Sequence, residues 1–146
     1  MLDLYCGIGT IALALALDAG EVFGVEIVER AVADAIENAR RNGIDNASFF
    51  AGDVRTAMRP LLEESGQPDV VVVDPPRAGL SQKIVRRILE AEAKKIVYVS
   101  CNPTTLAPNA RQLVDAGYEL RTVRPVDMFP QTPHIECVAL LERSAG

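Results

Sequence analysis

Short apolar runs alternate with segments of helical periodicity along almost the whole chain. That alternation admits few folds, because each buried strand must reach the next through a crossover that covers one face of the sheet. Strands are expected at residues 1–5, 22–26, 47–51, 69–74, 95–100, 118–126 and 136–142. Ala31, Val32, Ala35, Ile36 and Ala39 mark one face of a helix that Gly43 stops. Ile84, Val85, Ile88 and Leu89 mark another, with Ser81 as its cap, and Leu106, Ala110, Leu113 and Val114 a third, ended by Gly117. The last two strands have no helix between them and should pair antiparallel. The expected fold class is α/β, a mostly parallel seven-stranded sheet with helices on both faces and a terminal antiparallel hairpin.

A length of 146 residues suits one domain, and 49% hydrophobic content is enough for a substantial core. The domain expectation is therefore a single unit over 1–146. Its first strand starts without a lead-in, which suggests a piece of a longer protein. The sequence shows no apolar run long enough to cross a membrane and no opening signal peptide, so a cytoplasmic location is expected. Three well-separated cysteines, Cys6, Cys101 and Cys137, argue against a disulfide framework, and nothing has the spacing of a metal site. Fifteen basic residues against 20 acidic give a net charge of −5, which does not by itself point to nucleic acid. Arg40-Arg41, Arg77, Lys83 with Arg86-Arg87, and Lys94-Lys95 are local basic groups, each readable as a solvated helix face.

Four motifs sit where strands end. Asp3-Leu4-Tyr5-Cys6-Gly7-Ile8-Gly9-Thr10 joins the first strand to a helix, and Gly7 and Gly9 allow a tight turn close to a ligand. Ala12 completes Gly-x-Gly-x-x-Ala, so a dinucleotide-binding oxidoreductase is formally open. Glu26 ends the second strand at the spacing of a carboxylate that holds ribose hydroxyls. Asp53 follows the third, where it can accept from an adenine amino group. Together they support an adenosine ligand. Asp74-Pro75-Pro76-Arg77 ends the fourth strand. Arg77 stands where amino-group methyltransferases of nucleic acids carry a stacking aromatic residue, which speaks against methylation of an exocyclic amine.

Ser100-Cys101-Asn102-Pro103 closes the fifth strand and opens a helix, with Asn102 as N-cap and Pro103 at the first helical position. A thiol there faces the positive end of a helix dipole, which favours an anion. Alone, Cys101 reads as a structural cysteine. Asp127-Met128-Phe129-Pro130 is followed by His134-Ile135-Glu136-Cys137. The His and Glu, two apart on an extended segment, point the same way, and the prolines stiffen the loop. Alone, Glu136 reads as a surface carboxylate.

The four motifs, in this order and spacing over the whole chain, resemble the RNA uracil-5-methyltransferase family, which makes 5-methyluridine in transfer and ribosomal RNA. The resemblance implies the class I methyltransferase form of the Rossmann fold, S-adenosyl-L-methionine as cofactor, an RNA partner, no metal, and a full-length protein that is monomeric. It implies Cys101 as nucleophile and Glu136 as general base, with Tyr5, Thr10, Glu26, Asp53 and Asp74 on the cofactor side. That chemistry needs a thiolate to activate C5 of uracil by adding to C6, and a base to take the C5 proton afterwards. The chain departs from the family at Ala107-Pro108-Asn109, where Ala-Arg-Asp is usual. Its upstream domains, including a cofactor-contacting glutamine segment, have no counterpart in these residues. An RNA cytosine-5-methyltransferase usually carries a Pro-Cys pair after the fourth strand, where Pro75-Pro76 stands here. A non-catalytic cofactor-binding remnant is the remaining alternative.

Overall fold

The computed structural model describes residues 1–144. Seven strands form one sheet: β1 (Leu2–Leu4), β2 (Val22–Glu26), β3 (Ala47–Ala51), β4 (Val70–Val73), β5 (Lys95–Ser100), β6 (Tyr118–Val126) and β7 (Glu136–Arg143). Five α-helices connect them: α1 (Thr10–Leu15), α2 (Glu29–Arg41), α3 (Val54–Ser65), α4 (Gln82–Glu90) and α5 (Pro103–Asp115). The strand order is β3-β2-β1-β4-β5-β7-β6, as the expected fold class requires. The pairs among β1 to β5 are all parallel, while β7 runs antiparallel to both of its neighbours.

Each face of the sheet has its own core. α1 and α2 cover one face with Ala12, Val32, Ala35 and Ala39 around Val22 and Phe49. α3, α4 and α5 cover the other with Met58, Ile88 and Leu113 against Val71, Tyr98 and Leu141, all fully buried. Capping follows the sequence signals. The Ser81 hydroxyl accepts from the Ile84 N–H at 3.4 Å, and Asn102 Oδ1 accepts from the Thr104 N–H at 3.2 Å.

Two expectations fail at the edges of the sheet. Ile36 is 53% exposed and Val114 is 36% exposed, although both belong to predicted core faces. Ile36 flanks the edge strand β3, and Val114 lies by the edge strand β6 with Leu120, so no further element among the described residues covers either flank. α3 is an element that the sequence reading did not place. Pro60 lies inside it and hides the Val54, Met58, Leu61 stripe that packs inward. On β6 the pairing with β7 shifts between Leu120 and Thr122, a bulge that leaves Arg121 unpaired in the ladder.

Candidate active site

The carboxyl ends of the parallel strands and the start of β7 share one edge of the sheet, and the sequence motifs gather there. The turn after β1 is built from its own backbone: Cys6 N–H donates to Val25 O at 3.1 Å and Gly9 N–H to Cys6 O at 2.8 Å. Gly9 has φ 84, and a Cβ there would meet the Phe49 ring at 3.0 Å, so only glycine lets α1 start this close to β3. Tyr5 has φ 64, a strained value for a non-glycine residue that sets the direction of the turn.

Glu26 ties this turn to the next one. Its Oε2 accepts from the Gly7 N–H at 3.1 Å and its Oε1 from the Val28 N–H at 2.9 Å. The carboxylate is therefore oriented before any ligand arrives. Asp53 caps α3 through the Arg55 N–H at 2.8 Å, and the Arg55 guanidinium also pairs with both of its oxygens. That cation holds the Asp53 carboxyl below the ordinary range. An adenine amino group would have to share Asp53 with Arg55, a constraint invisible in the sequence. Tyr5, Ile27, Asp53, Arg55 and Pro76 help to line a cavity of about 290 Å³ beside these turns. Thr10 lies apart from it, in a groove with Ile8, Leu13 and Asn38.

Asp3 is the residue that the sequence reading quoted but gave no task. Its side chain is 1% exposed, and neither carboxylate oxygen has a hydrogen-bond partner. Burial pushes its pKa up to about 7; the approach of the Ala12 backbone amide, which does not complete a hydrogen bond, tempers this, and the neighbouring Asp74 charge adds to it. A charged residue inside an apolar strand was the available signal. The buried carboxylate lies under the glycine turn, where it favours a cationic ligand through its potential, while the oriented Glu26 fits ribose hydroxyls.

Asp3 also fixes the sign of a pH effect. Its carboxyl titrates near the ordinary 3.8 when unfolded and near 7 when folded, so between those values the folded state keeps a proton that the unfolded chain has lost. Stability contributed by this group is full below pH 4 and declines as pH rises toward 7. The loss is at most on the order of 4 kcal/mol. Asp3→Asn should flatten that decline when urea midpoints are followed from pH 4 to pH 8. Parallel curves for the two proteins would show that Asp3 keeps its charge at no cost.

The candidate reacting groups, Cys101 and Glu136, lie at the ends of β5 and β7. The β5–β7 register sets Ser100 against Cys137, and one step further along each chain lie Cys101 and Glu136. Ser100 clamps the turn, its hydroxyl accepting from Asn102 N–H at 3.1 Å and donating to Asn102 O at 3.0 Å. Cys101 is half-buried, whereas Cys6 and Cys137 are buried. Burial, with Asp3 and Glu26 nearby, pushes the Cys6 thiol up to about 12, so Cys6 stays protonated. Among the three thiols, Cys101 alone combines access with a helix start. Asp74 closes the group: partial desolvation first, and then the Glu136 charge, push its carboxyl upward.

Two connections were not foreseen. Asn109, at a departure from the family pattern, is 5% exposed. Its Oδ1 accepts from Leu80 N–H at 2.8 Å and Tyr98 O–H at 3.0 Å, and its Nδ2 donates to Leu80 O at 2.9 Å. It thus joins the loop after β4 to β5 and α5. Gly79 gives it room, since a Cβ there would lie 2.8 Å from Asn109 Oδ1. Arg77 Nη1 donates to His134 Nδ1 at 3.3 Å, tying that same loop to the segment before β7.

Strand order, the antiparallel β7 and a strand-edge site of this kind define the class I methyltransferase form of the Rossmann fold. The chain belongs to the family described as tRNA (uracil-5-)-methyltransferase, whose model matches residues 1–144. A protein of Enterococcus faecalis described as an uncharacterized RNA methyltransferase is 52% identical over 144 residues, covering 99% of this chain and 32% of its own length. Another so described, from Caldanaerobacter subterraneus, is 51% identical over 142 residues, covering 97% of this chain and 31% of its own. The chain therefore spans about a third of the length of the curated relatives it matches.

Among solved structures, the Pyrococcus abyssi tRNA (uracil-54, C5)-methyltransferase in complex with S-adenosyl-L-homocysteine aligns with a TM-score of 0.80 and 39% identity, over 96% of this chain and 33% of that one. The precorrin-6y C5,15-methyltransferase of Geobacter metallireducens, at 15% identity and TM-score 0.77 over 98% of this chain and 79% of that one, shares the fold. No helix among the described residues is long and apolar enough to cross a membrane.

Proposed function

We propose that this chain is the catalytic domain of an S-adenosylmethionine-dependent RNA (uracil-C5)-methyltransferase that forms 5-methyluridine in transfer or ribosomal RNA. The observation that carries the reading is the register that brings Cys101 and Glu136 to adjoining strand ends, one step beyond the paired Ser100 and Cys137, with Asp74 within electrostatic reach of Glu136.

Each group has a task that its position suits. The Cys101 thiolate adds to C6 of uracil, forming a C–S bond and moving the ring's electron pair onto C5 and O4. S-adenosylmethionine, when bound, supplies the electrophilic methyl group that C5 acquires. Glu26, Gly7, Gly9 and Tyr5 would hold it, with Thr10, Asp53 and Asp74 as further candidates. Glu26 offers an oriented carboxylate to ribose hydroxyls, and the buried Asp3 adds negative potential beneath the turn. Glu136 then takes the C5 proton, the C5–C6 double bond returns, and the C6–S bond breaks to restore the Cys101 thiolate. The target uridine must be unpaired or flipped to reach the thiol.

Product analysis tests the reading. The protein is incubated with methyl-labelled cofactor and uridine-containing RNA, which is then digested to nucleosides. Label in 5-methyluridine is expected. Label in 5-methylcytidine would transfer the site to cytosine chemistry, and cofactor binding without label in RNA would mark a non-catalytic module.

A further inference from the structure

The segment between β6 and β7 displays apolar side chains at the site's margin. Met128 is 60% exposed and Phe129 52% exposed. The segment is braced rather than loose. Thr132 donates to Phe129 O from its N–H at 3.2 Å and from its hydroxyl at 2.7 Å, and His134 N–H donates to Thr132 Oγ1 at 3.3 Å. Pro130 and Pro133 stiffen the same turn. A rigid turn that holds a phenyl ring in water loses solvation free energy and gains no packing within the chain.

A cation is fixed beside it. Arg77 reaches His134 from the loop after β4, and since a guanidinium can only donate, His134 Nδ1 is the acceptor. The Arg77 carbonyl is itself held by Asn102 Nδ2 and Thr105 Oγ1, each at 3.2 Å. The guanidinium therefore stands at the same edge as Cys101 and Glu136. Arg77 has no carboxylate partner among the described residues, although acids outnumber bases 20 to 15 in the chain.

We propose that Phe129, Met128 and Arg77 form a platform for unpaired RNA next to the reacting uridine. Phe129 stacks on the neighbouring base, Met128 packs at its rim, and Arg77 pairs with the phosphodiester. This inference rests on the RNA reading of the site and adds to it a second nucleotide position. Charge decides the occupant. An apolar protein segment would use the ring and leave the fixed guanidinium desolvated, whereas a polyanion with flat π faces satisfies both. In an acidic chain, phosphate affinity has to be concentrated at such points.

The probe is a short single-stranded RNA with one uridine flanked by 2-aminopurine, whose fluorescence falls on stacking. Quenching by the native chain is expected. Phe129→Ala should weaken binding about tenfold or more and abolish quenching, with the salt dependence unchanged. Phe129→Trp should restore both. Arg77→Gln should lower the slope of log affinity against log salt by about one while quenching persists in the bound complex. Absence of RNA binding by the native chain, or a Phe129→Ala variant that binds and quenches like it, overturns the platform. The functional reading fails by a different signature, RNA that binds with these properties but gains no 5-methyluridine.

Discussion

A Glu136→Gln protein should accumulate a covalent complex with unmodified RNA that already carries the new methyl group. In the proposed mechanism thiolate addition and methylation precede the step assigned to Glu136, so both should proceed in the variant. Glutamine keeps the shape of the side chain but cannot take a proton, and resolution of the adduct should slow by about 10²–10⁴-fold, the usual span for a lost general base. The measurement is denaturing electrophoresis after incubation with methyl-labelled cofactor, in which label migrates with the protein. Asp74 lies within electrostatic reach of Glu136, and its carboxyl is pushed upward. Asp74→Asn run in parallel separates the two carboxylates. Trapping by Asp74→Asn and not by Glu136→Gln would exchange their roles.

Cys101→Ala should abolish methylation altogether while leaving S-adenosylmethionine affinity within a few-fold, because no cofactor contact is assigned to the thiol. Its complement is RNA with 5-fluorouridine at the target, which should trap the native protein. Fluorine at C5 cannot leave as a proton does, so the C6–S bond persists. Mass spectrometry should place the adduct on Cys101. The alternatives are poor on physical grounds: Cys6 is buried with its thiol pushed up to about 12, and Cys137 packs within the core. An adduct on either would overturn the assignment, as would normal turnover by Cys101→Ala.

Much of the architecture was legible because apolar runs and glycine stops are local signals. The strands at 22–26, 47–51, 95–100 and 118–126 have the expected bounds, and the terminal antiparallel pairing follows from the missing crossover. α3 was not legible. Pro60 interrupts the reading of a helix whose inward stripe becomes apparent only against the packed sheet. Ile36 and Val114 failed because periodicity marks an apolar face without saying whether the sheet extends far enough to cover it.

The candidate site divides in the same way. Strand-end motifs pointed to Cys101, Glu136, Glu26 and Asp74 because topology carries such positions to one edge. The Asp53–Arg55 pair, the Arg77–His134 contact and the Asn109 bridge depend on side-chain directions that spacing does not encode. Asp3 needed burial to be measured, since its sequence context alone did not distinguish an orphaned carboxylate from a capped one.

The bulge on β6 bears on which changes of chain length this domain could survive. β7 pairs on one side with β5 in unbroken register, from Lys95↔Glu142 to Ser100↔Cys137. On its other side the shift at Leu120 and Thr122 absorbs one residue into the outermost strand. An inserted or deleted residue in β6 thus has an outlet that leaves the inner ladder alone. The same change within β7 would turn Glu136 to the opposite face of the sheet and take it away from Cys101. Length changes should therefore be tolerated within β6 near its bulge, and be almost forbidden a single strand inward.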